Sequence, residues 1–275
     1  MKLTQEQVKS YHHDGFLIIR SLFDSEEIEL LSKTAKEDKV LDDHSYGKDD
    51  GEGGNVRLSL WNQPGEGIYG HFARCHRIVD TMETLLEDEV YHYHSKMILK
   101  DPKVGGAWTW HQDYGYWYEN GLLFPDLASV MIAVDKATKE NGCLQVIRGS
   151  HKLGRVDHVL TGDQAGADLE RVNEILKVLD HVYAELNPGD ALFLHGNTLH
   201  RSAQNKSEHP RWAMICCYNT RHNNPYKKHH HPPYTPLKKV SDDSLKEVGM
   251  KRFTEDADVA WLDPEDDYSH RNLKG

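Results

Sequence analysis

From Val90 onward the chain breaks repeatedly into short apolar runs that end in turn residues. Runs at Val90–Lys100, 107–111, 129–134, Leu144–Ile147, Ala191–His195 and 211–219 read as strands. Between several of them stand Glu140-Asn141-Gly142, Gly149-Ser150 and Asn187-Pro188-Gly189-Asp190, which preset turns or accept positive φ. Many short strands with few helices specify a sandwich or a barrel, with the helices buttressing an outer face. The longest run, VYHYHSKMILK, alternates Tyr91, Tyr93, Met97 and Leu99 with His92, His94 and Lys96. Strand periodicity sends the two sets to opposite faces. This predicts a sheet packed on one side, whose other side meets either a polar cavity or solvent.

Helices enter at identifiable signals. Thr4 with Gln7 and Asp24 with Glu27 are capping-box pairs. They predict a helix ending near Gly15, the short strand 16–20, and a second helix whose stripe is Ile28, Leu30, Leu31 and Ala35. Further helices are expected over 80–86 and, from Leu169, Val172, Ile175, Leu176 and Leu179, over 168–179. The polar, glycine-rich stretch 41–56 reads as an exposed loop. Residues 223–275 read as a mostly irregular extension of one domain, with a short helix over 242–247.

A formal charge of −11 without a compensating basic run argues against sequence-independent binding of nucleic acid. The opening MKLTQEQVKS lacks the apolar stretch of a secretory signal, and no window has the length and apolarity of a membrane span. Cys75, Cys143, Cys216 and Cys217 form no metal-knuckle or CxxC spacing, and Cys216-Cys217 lies in an apolar run that suits buried thiols. A cytoplasmic setting fits these features. Oligomeric state leaves no mark in the sequence.

The chemistry concentrates in WTWHQDYGYW. If that stretch stays extended, His111 and Asp113 point to one side and aim an imidazole and a carboxylate at one place. The spacing is weak by itself, because His12-His13-Asp14 repeats it at a predicted helix end. A facial metal triad needs another histidine from a distant strand. The segment LFLHGNTLHRS offers two, His195 and His200, and Arg211 opens the next strand at a place where its guanidinium can grip a carboxylate.

The order WHQD, then VDKATKENGCLQVIRGSH, then LHGNTLHRSAQN with Arg211 resembles the phytanoyl-CoA dioxygenase family, and so does the opening helix–strand–helix; the likeness runs over about residues 3–222. The resemblance implies a mainly β fold with flanking helices, a double-stranded β-helix (jelly-roll, cupin-like). It implies an iron(II)- and 2-oxoglutarate-dependent dioxygenase that uses O2, releases succinate and carbon dioxide and hydroxylates an unactivated C–H of a small molecule. It selects His111, Asp113 and His200 as iron ligands, and Arg211 with Ser202 for the distal carboxylate of 2-oxoglutarate. It adds Lys96 and Arg57 as further cosubstrate contacts, and puts Met131 where relatives often carry Trp. The carboxylate of Asp113 favours hydroxylation over halogenation, since halogenating relatives lack it. His151 belongs to a structural turn.

For the substrate, Trp61, His94, Tyr114 and Trp117 are candidates, with Tyr116 and Tyr118 beside them. The basic stretch YKKHHHPPYTPLKK is either a neighbour of the cavity mouth or a solvated loop. Nothing in the residues separates a CoA thioester from a free small metabolite. Two other classes compete: a cupin-like metal enzyme that makes no use of 2-oxoglutarate and has no need of Arg211, and a binding protein that inherited the barrel.

Overall fold

The computed structural model describes residues 2–249 and 260–267. The chain opens with α1 (Gln5–Asp14), β1 (Phe16–Ile19) and α2 (Ser25–Glu37). Both capping boxes form: Thr4 and Asp24 accept from Gln7 N and Glu27 N, and those side chains accept from the cap N–H in return. Gly15, at φ 83°, ends α1 in the left-handed conformation that only glycine adopts without strain.

There follow α3 (Lys39–Asp43), β2 (Tyr46–Asp49), β3 (Asn55–Trp61), α4 (Ile68–Arg74), α5 (His76–Leu86) and β4 (Val90–Lys100). Next come β5 (Trp108–His111), α6 (Asp113–Trp117), β6 (Leu127–Ala133), β7 (Leu144–Ile147), β8 (His158–Thr161) and β9 (Gln164–Ala167). The described chain finishes its regular structure with α7 (Leu169–Leu176), β10 (His181–Ala184), β11 (Ala191–His195), β12 (His200–Ser202), β13 (Arg211–Thr220) and α8 (Ser244–Val248).

The strands form a seven-stranded sheet in the order β1-β11-β6-β13-β4-β3-β2 and a four-stranded sheet in the order β10-β7-β12-β5, with β8-β9 as a separate pair. All pairings between these strands are antiparallel. This is the jelly roll that the resemblance implies, within the sandwich-or-barrel class that the run of short strands predicts, with helices on the outer face of the larger sheet. There Leu31, Tyr69, Phe72, Ile78 and Met82 pack against Met97, Leu99, Val130 and Met214. The inner face carries the site.

Three expectations need correction. The stretch 41–56 is not all loop, since it contains α3 and the edge strand β2, paired to β3 through Tyr46↔Leu58 and Lys48↔Val56. A half-exposed polar edge strand carries no apolar alternation from which to read it. His92 does not share a face with His94 and Lys96. A bulge shifts the register opposite Cys217 and Tyr218, so His92 turns to the helix side, near Tyr218, while Tyr91 and Tyr93 turn inward to Trp117. Finally, β5 stops at His111, so Asp113 is the first residue of a helical turn, not a strand residue.

The short helix expected over 242–247 is α8, and α7 begins after its Asp168 cap. The expectation of an irregular extension over 223–275 lies partly outside the described residues. All four cysteines are free and buried. Among the described residues no helix is long and apolar enough to cross a membrane.

Candidate metal centre and cosubstrate pocket

Strand register makes the site. His200 on β12 lies directly opposite His111 on the neighbouring β5. Direct partners on an antiparallel pair bring their side chains within about 5 Å, and here the two rings sit 4.0 Å apart between centroids. The helical turn after β5 brings Asp113 to them: its Oδ1 is 3.8 Å from His111 Nε2 and 4.0 Å from His200 Nε2. One donor atom from each of the three residues falls within 4.8 Å of the others, and all three residues are buried.

The protons are arranged for a cation. His111 Nδ1 donates to Thr109 O at 2.8 Å, and His200 Nδ1 donates to Thr198 O at 2.9 Å. Each bond fixes the tautomer that leaves Nε2 as a lone pair facing the cluster. Burial lowers the basicity of both rings and keeps them neutral. Ser129 Oγ donates to Asp113 Oδ2 at 2.9 Å, which leaves Oδ1 for the cluster. Two neutral nitrogens and one carboxylate oxygen on one side form the donor set of a facial triad.

Gln112, between two of the cluster residues, points away and acts as a rivet. Its N–H donates to His158 Nε2 at 2.9 Å, its side-chain amide donates to Gly154 O and Asn197 O, and its carbonyl accepts from Val156 N. His158 packs so close that a Cβ on Gly115 would lie 1.9 Å from its ring, so α6 requires glycine there.

Beside the cluster lies a cavity of about 430 Å³ whose lining includes Val56, Trp108, Ser202 and Arg211. Arg211 is 2 % exposed, its Nε has no hydrogen-bond partner, and no carboxylate stands within ion-pair reach among the described residues. Burial pushes its guanidinium down to about 10, which still leaves it charged at neutral pH. A buried cation without a counter-ion is costly, so the place is built for an anion that arrives from outside. Met131 forms part of the wall, as does Leu144.

Lys100, which sequence reasoning missed, is the register partner of Arg211. It is 1 % exposed and its Nζ donates to Ser202 Oγ at 2.9 Å and to Ala203 O. Burial, and then the neighbouring guanidinium, pull its amine well below the ordinary lysine range. The signal was in the alternation of β4, which places Lys100 on the face of Lys96.

Arg57 does not join them. Val56 and Leu58 face inward, so Arg57 faces out and pairs with Asp42 and Asp101. Trp61 shares that outward parity and lies in the helix-side core beside Tyr69. Tyr114 also turns from the cavities, its hydroxyl donating to Leu123 O at 2.7 Å. His94, Trp117 and Tyr116 do line a second cavity, of about 510 Å³, which shares Lys96 and Trp108 with the first. Tyr118 is exposed. The histidine stretch is no solvated loop at this point: His231 lines the second cavity and stacks on His94 at 4.3 Å and 15°. His195 and His151 face each other away from the cluster.

A jelly roll that carries a buried His-Asp-His cluster beside an unpaired arginine defines the class of non-haem oxygenases with a dicarboxylate cosubstrate. Comparison with known proteins gives the family. Residues 11–213 match the phytanoyl-CoA dioxygenase (PhyH) family model, and the chain belongs to that family. It is a 2-oxoglutarate-dependent dioxygenase that uses iron(II) and O2.

L-proline trans-4-hydroxylase of Streptomyces griseoviridis is 32% identical over 193 residues, which cover 64% of this chain and 70% of that one. Ectoine dioxygenase of Sphingopyxis alaskensis is 25% identical over 232 residues, 79% of this chain and 76% of that one. The crystal structure of EctD from S. alaskensis with bound Fe aligns with a TM-score of 0.73 at 21% identity, covering 87% of this chain and 88% of that one. That likeness establishes the fold.

Proposed function

We propose that the protein hydroxylates an unactivated C–H of a small molecule, with His111, Asp113 and His200 holding the iron and Arg211 binding 2-oxoglutarate. One juxtaposition carries the reading: a neutral two-histidine, one-carboxylate cluster shares a cavity with an arginine that has no partner of its own. A cupin-like enzyme without a dicarboxylate cosubstrate would leave that guanidinium buried for nothing. A binding protein would have no use for two histidines with their tautomers fixed and a carboxylate aimed beside them.

Iron(II) and 2-oxoglutarate, when bound, would supply the oxidising chemistry with O2, one oxygen atom of which would enter succinate as the cosubstrate loses carbon dioxide while the other would turn the substrate C–H into an alcohol. Everything else falls to the chain. Arg211 takes the distal carboxylate as a charge-assisted pair, and Ser202, held by Lys100, turns its hydroxyl to the same carboxylate. Ser129 and the carbonyls of Thr109 and Thr198 keep the ligand atoms aimed. Asp113 keeps a carboxylate where a halogenating site needs room for halide. The apolar walls, Val56, Ile98, Met131 and Ile215, exclude water from the reacting region.

The test is succinate release from 2-oxoglutarate with iron(II) and oxygen. Turnover by the native chain that disappears in Asp113→Ala supports the assignment. Unchanged succinate release in that variant would sink it.

A further inference from the structure

Lys96, a cosubstrate contact in the family resemblance, is a buried cation of the inner face to which the hydroxylase reading above gives no role. It is 9 % exposed and makes no hydrogen bond or ion pair with any described residue. Its Nζ lies over the face of Trp108, 5.8 Å from the ring centroid. It stands on the wall common to both cavities.

The distal carboxylate of 2-oxoglutarate already has its partner in the reading above, Arg211. Lys96 is therefore a surplus buried cation, and it needs an anion of its own. The second cavity does not supply one. Its carboxylate, Asp267, is engaged by Lys48 at 2.8 Å and lies 3.6 Å from His230.

Resting on the proposed hydroxylase activity, we infer that the primary substrate is a small carboxylate. Its single negative charge pairs with Lys96 Nζ, and its apolar body lies against Trp108, Trp117 and the stacked His94–His231 pair. Trp108, whose ring centroid lies 5.9 Å from that of His111, brings that body up to the metal cluster. His94 Nδ1, buried and without a hydrogen-bond partner, is left to meet one further polar group. A phosphate or diphosphate headgroup fits less well, because one amine among aromatic rings offers neither the arginine fork nor the row of N–H groups such anions require.

Calorimetric titration of the full chain, loaded with iron(II) and 2-oxoglutarate under nitrogen, tests this. The probes are benzoate, cyclohexanecarboxylate and L-proline, each beside its primary amide, which lacks the carboxylate charge. We expect at least one acid to bind at least about tenfold more tightly than its amide, as a desolvated charge pair requires. Lys96→Met should bring acid and amide within about twofold, and Lys96→Arg should keep the preference, since only the charge is retained. In both variants the KM for 2-oxoglutarate in substrate-free succinate release should stay within about threefold of the native value, unlike Arg211→Ala.

Amides that bind as well as acids, or failure of all three acids to bind, would overturn the inference. So would a Lys96→Met variant whose defect is in 2-oxoglutarate KM alone. If Lys96→Met does not fold, the native acid-to-amide ratio and Lys96→Arg still decide. A native chain that releases no succinate would instead refute the proposed activity and leave the acid preference measurable.

Discussion

Ser129 Oγ and Asp113 Oδ2 lie 2.9 Å apart, and that hydrogen bond decides which oxygen of the carboxylate faces His111 and His200. Without it Asp113 keeps its charge but loses its aim. Ser129→Ala should weaken iron(II) binding by about 10–100-fold, the usual consequence of losing a residue that orients a metal ligand. The KM for 2-oxoglutarate, measured at saturating iron, should barely move. Native metal affinity in the variant would show that Asp113 is oriented by other means.

Arg211 and Lys100, opposite each other on β13 and β4, should separate in their kinetic effects. Arg211→Ala removes the direct partner of the distal carboxylate, and the KM for 2-oxoglutarate should rise by about two orders of magnitude. Lys100→Met removes a donor that works through Ser202, so a rise of about tenfold is expected, the value of one charge-assisted hydrogen bond. Equal effects would mean that Lys100 touches the cosubstrate itself.

Gln112 and Gly115 hold the loop that carries Asp113, and they do so by packing and hydrogen bonds alone. Gly115→Ala forces a methyl into His158 and should lower the melting temperature and the iron occupancy together. Gln112→Ala strands Val156 N and two carbonyls, at a cost of about 1–3 kcal/mol per buried polar group left unpaired. Urea denaturation of the metal-free chain measures both. A variant of unaltered stability would remove Gln112 from this structural role.

Acid should destabilise the fold through histidines far from the metal cluster. Burial pushes His92 and His195 each down to about 3, whereas an unfolded histidine titrates near about 6.5. Between those values the unfolded chain binds protons that the fold refuses, so stability rises with pH across the window and falls on acidification. Each group withdraws up to about 1.4 kcal/mol per pH unit as the window is crossed. The urea midpoint should therefore drop between about pH 7 and about pH 5, and His195→Asn, which retains an acceptor for Asn197 N, should flatten that drop. A midpoint independent of pH would contradict this.

The parts of the site legible in the sequence are those set by order along the chain. His111, Asp113, His200 and Arg211 sit in blocks that the family resemblance singles out, where residue spacing alone left His195 and His200 both open. What escaped the reading depends on pairing between strands. Lys96 and Lys100 have the same parity on β4, and only the register with β13 tells which of them faces Arg211. Arg57 and Trp61 are lost to the cavity because Val56 and Leu58 take the inward parity of β3. His92 is turned round by a bulge that no local residue pattern announces. The place of Asp113 in the cluster was anticipated, but its geometry was not: the carboxylate reaches the cluster from a helical turn after the strand has ended.

The most direct measurement is the visible spectrum of the metal-free chain under nitrogen as iron(II) and then 2-oxoglutarate are added. We expect a weak charge-transfer band that needs both additions, persists in Lys96→Met, and is absent in Asp113→Ala. A native chain that binds iron(II) at His111, Asp113 and His200 yet develops no band with 2-oxoglutarate would contradict the assignment of the Arg211 pocket to the cosubstrate.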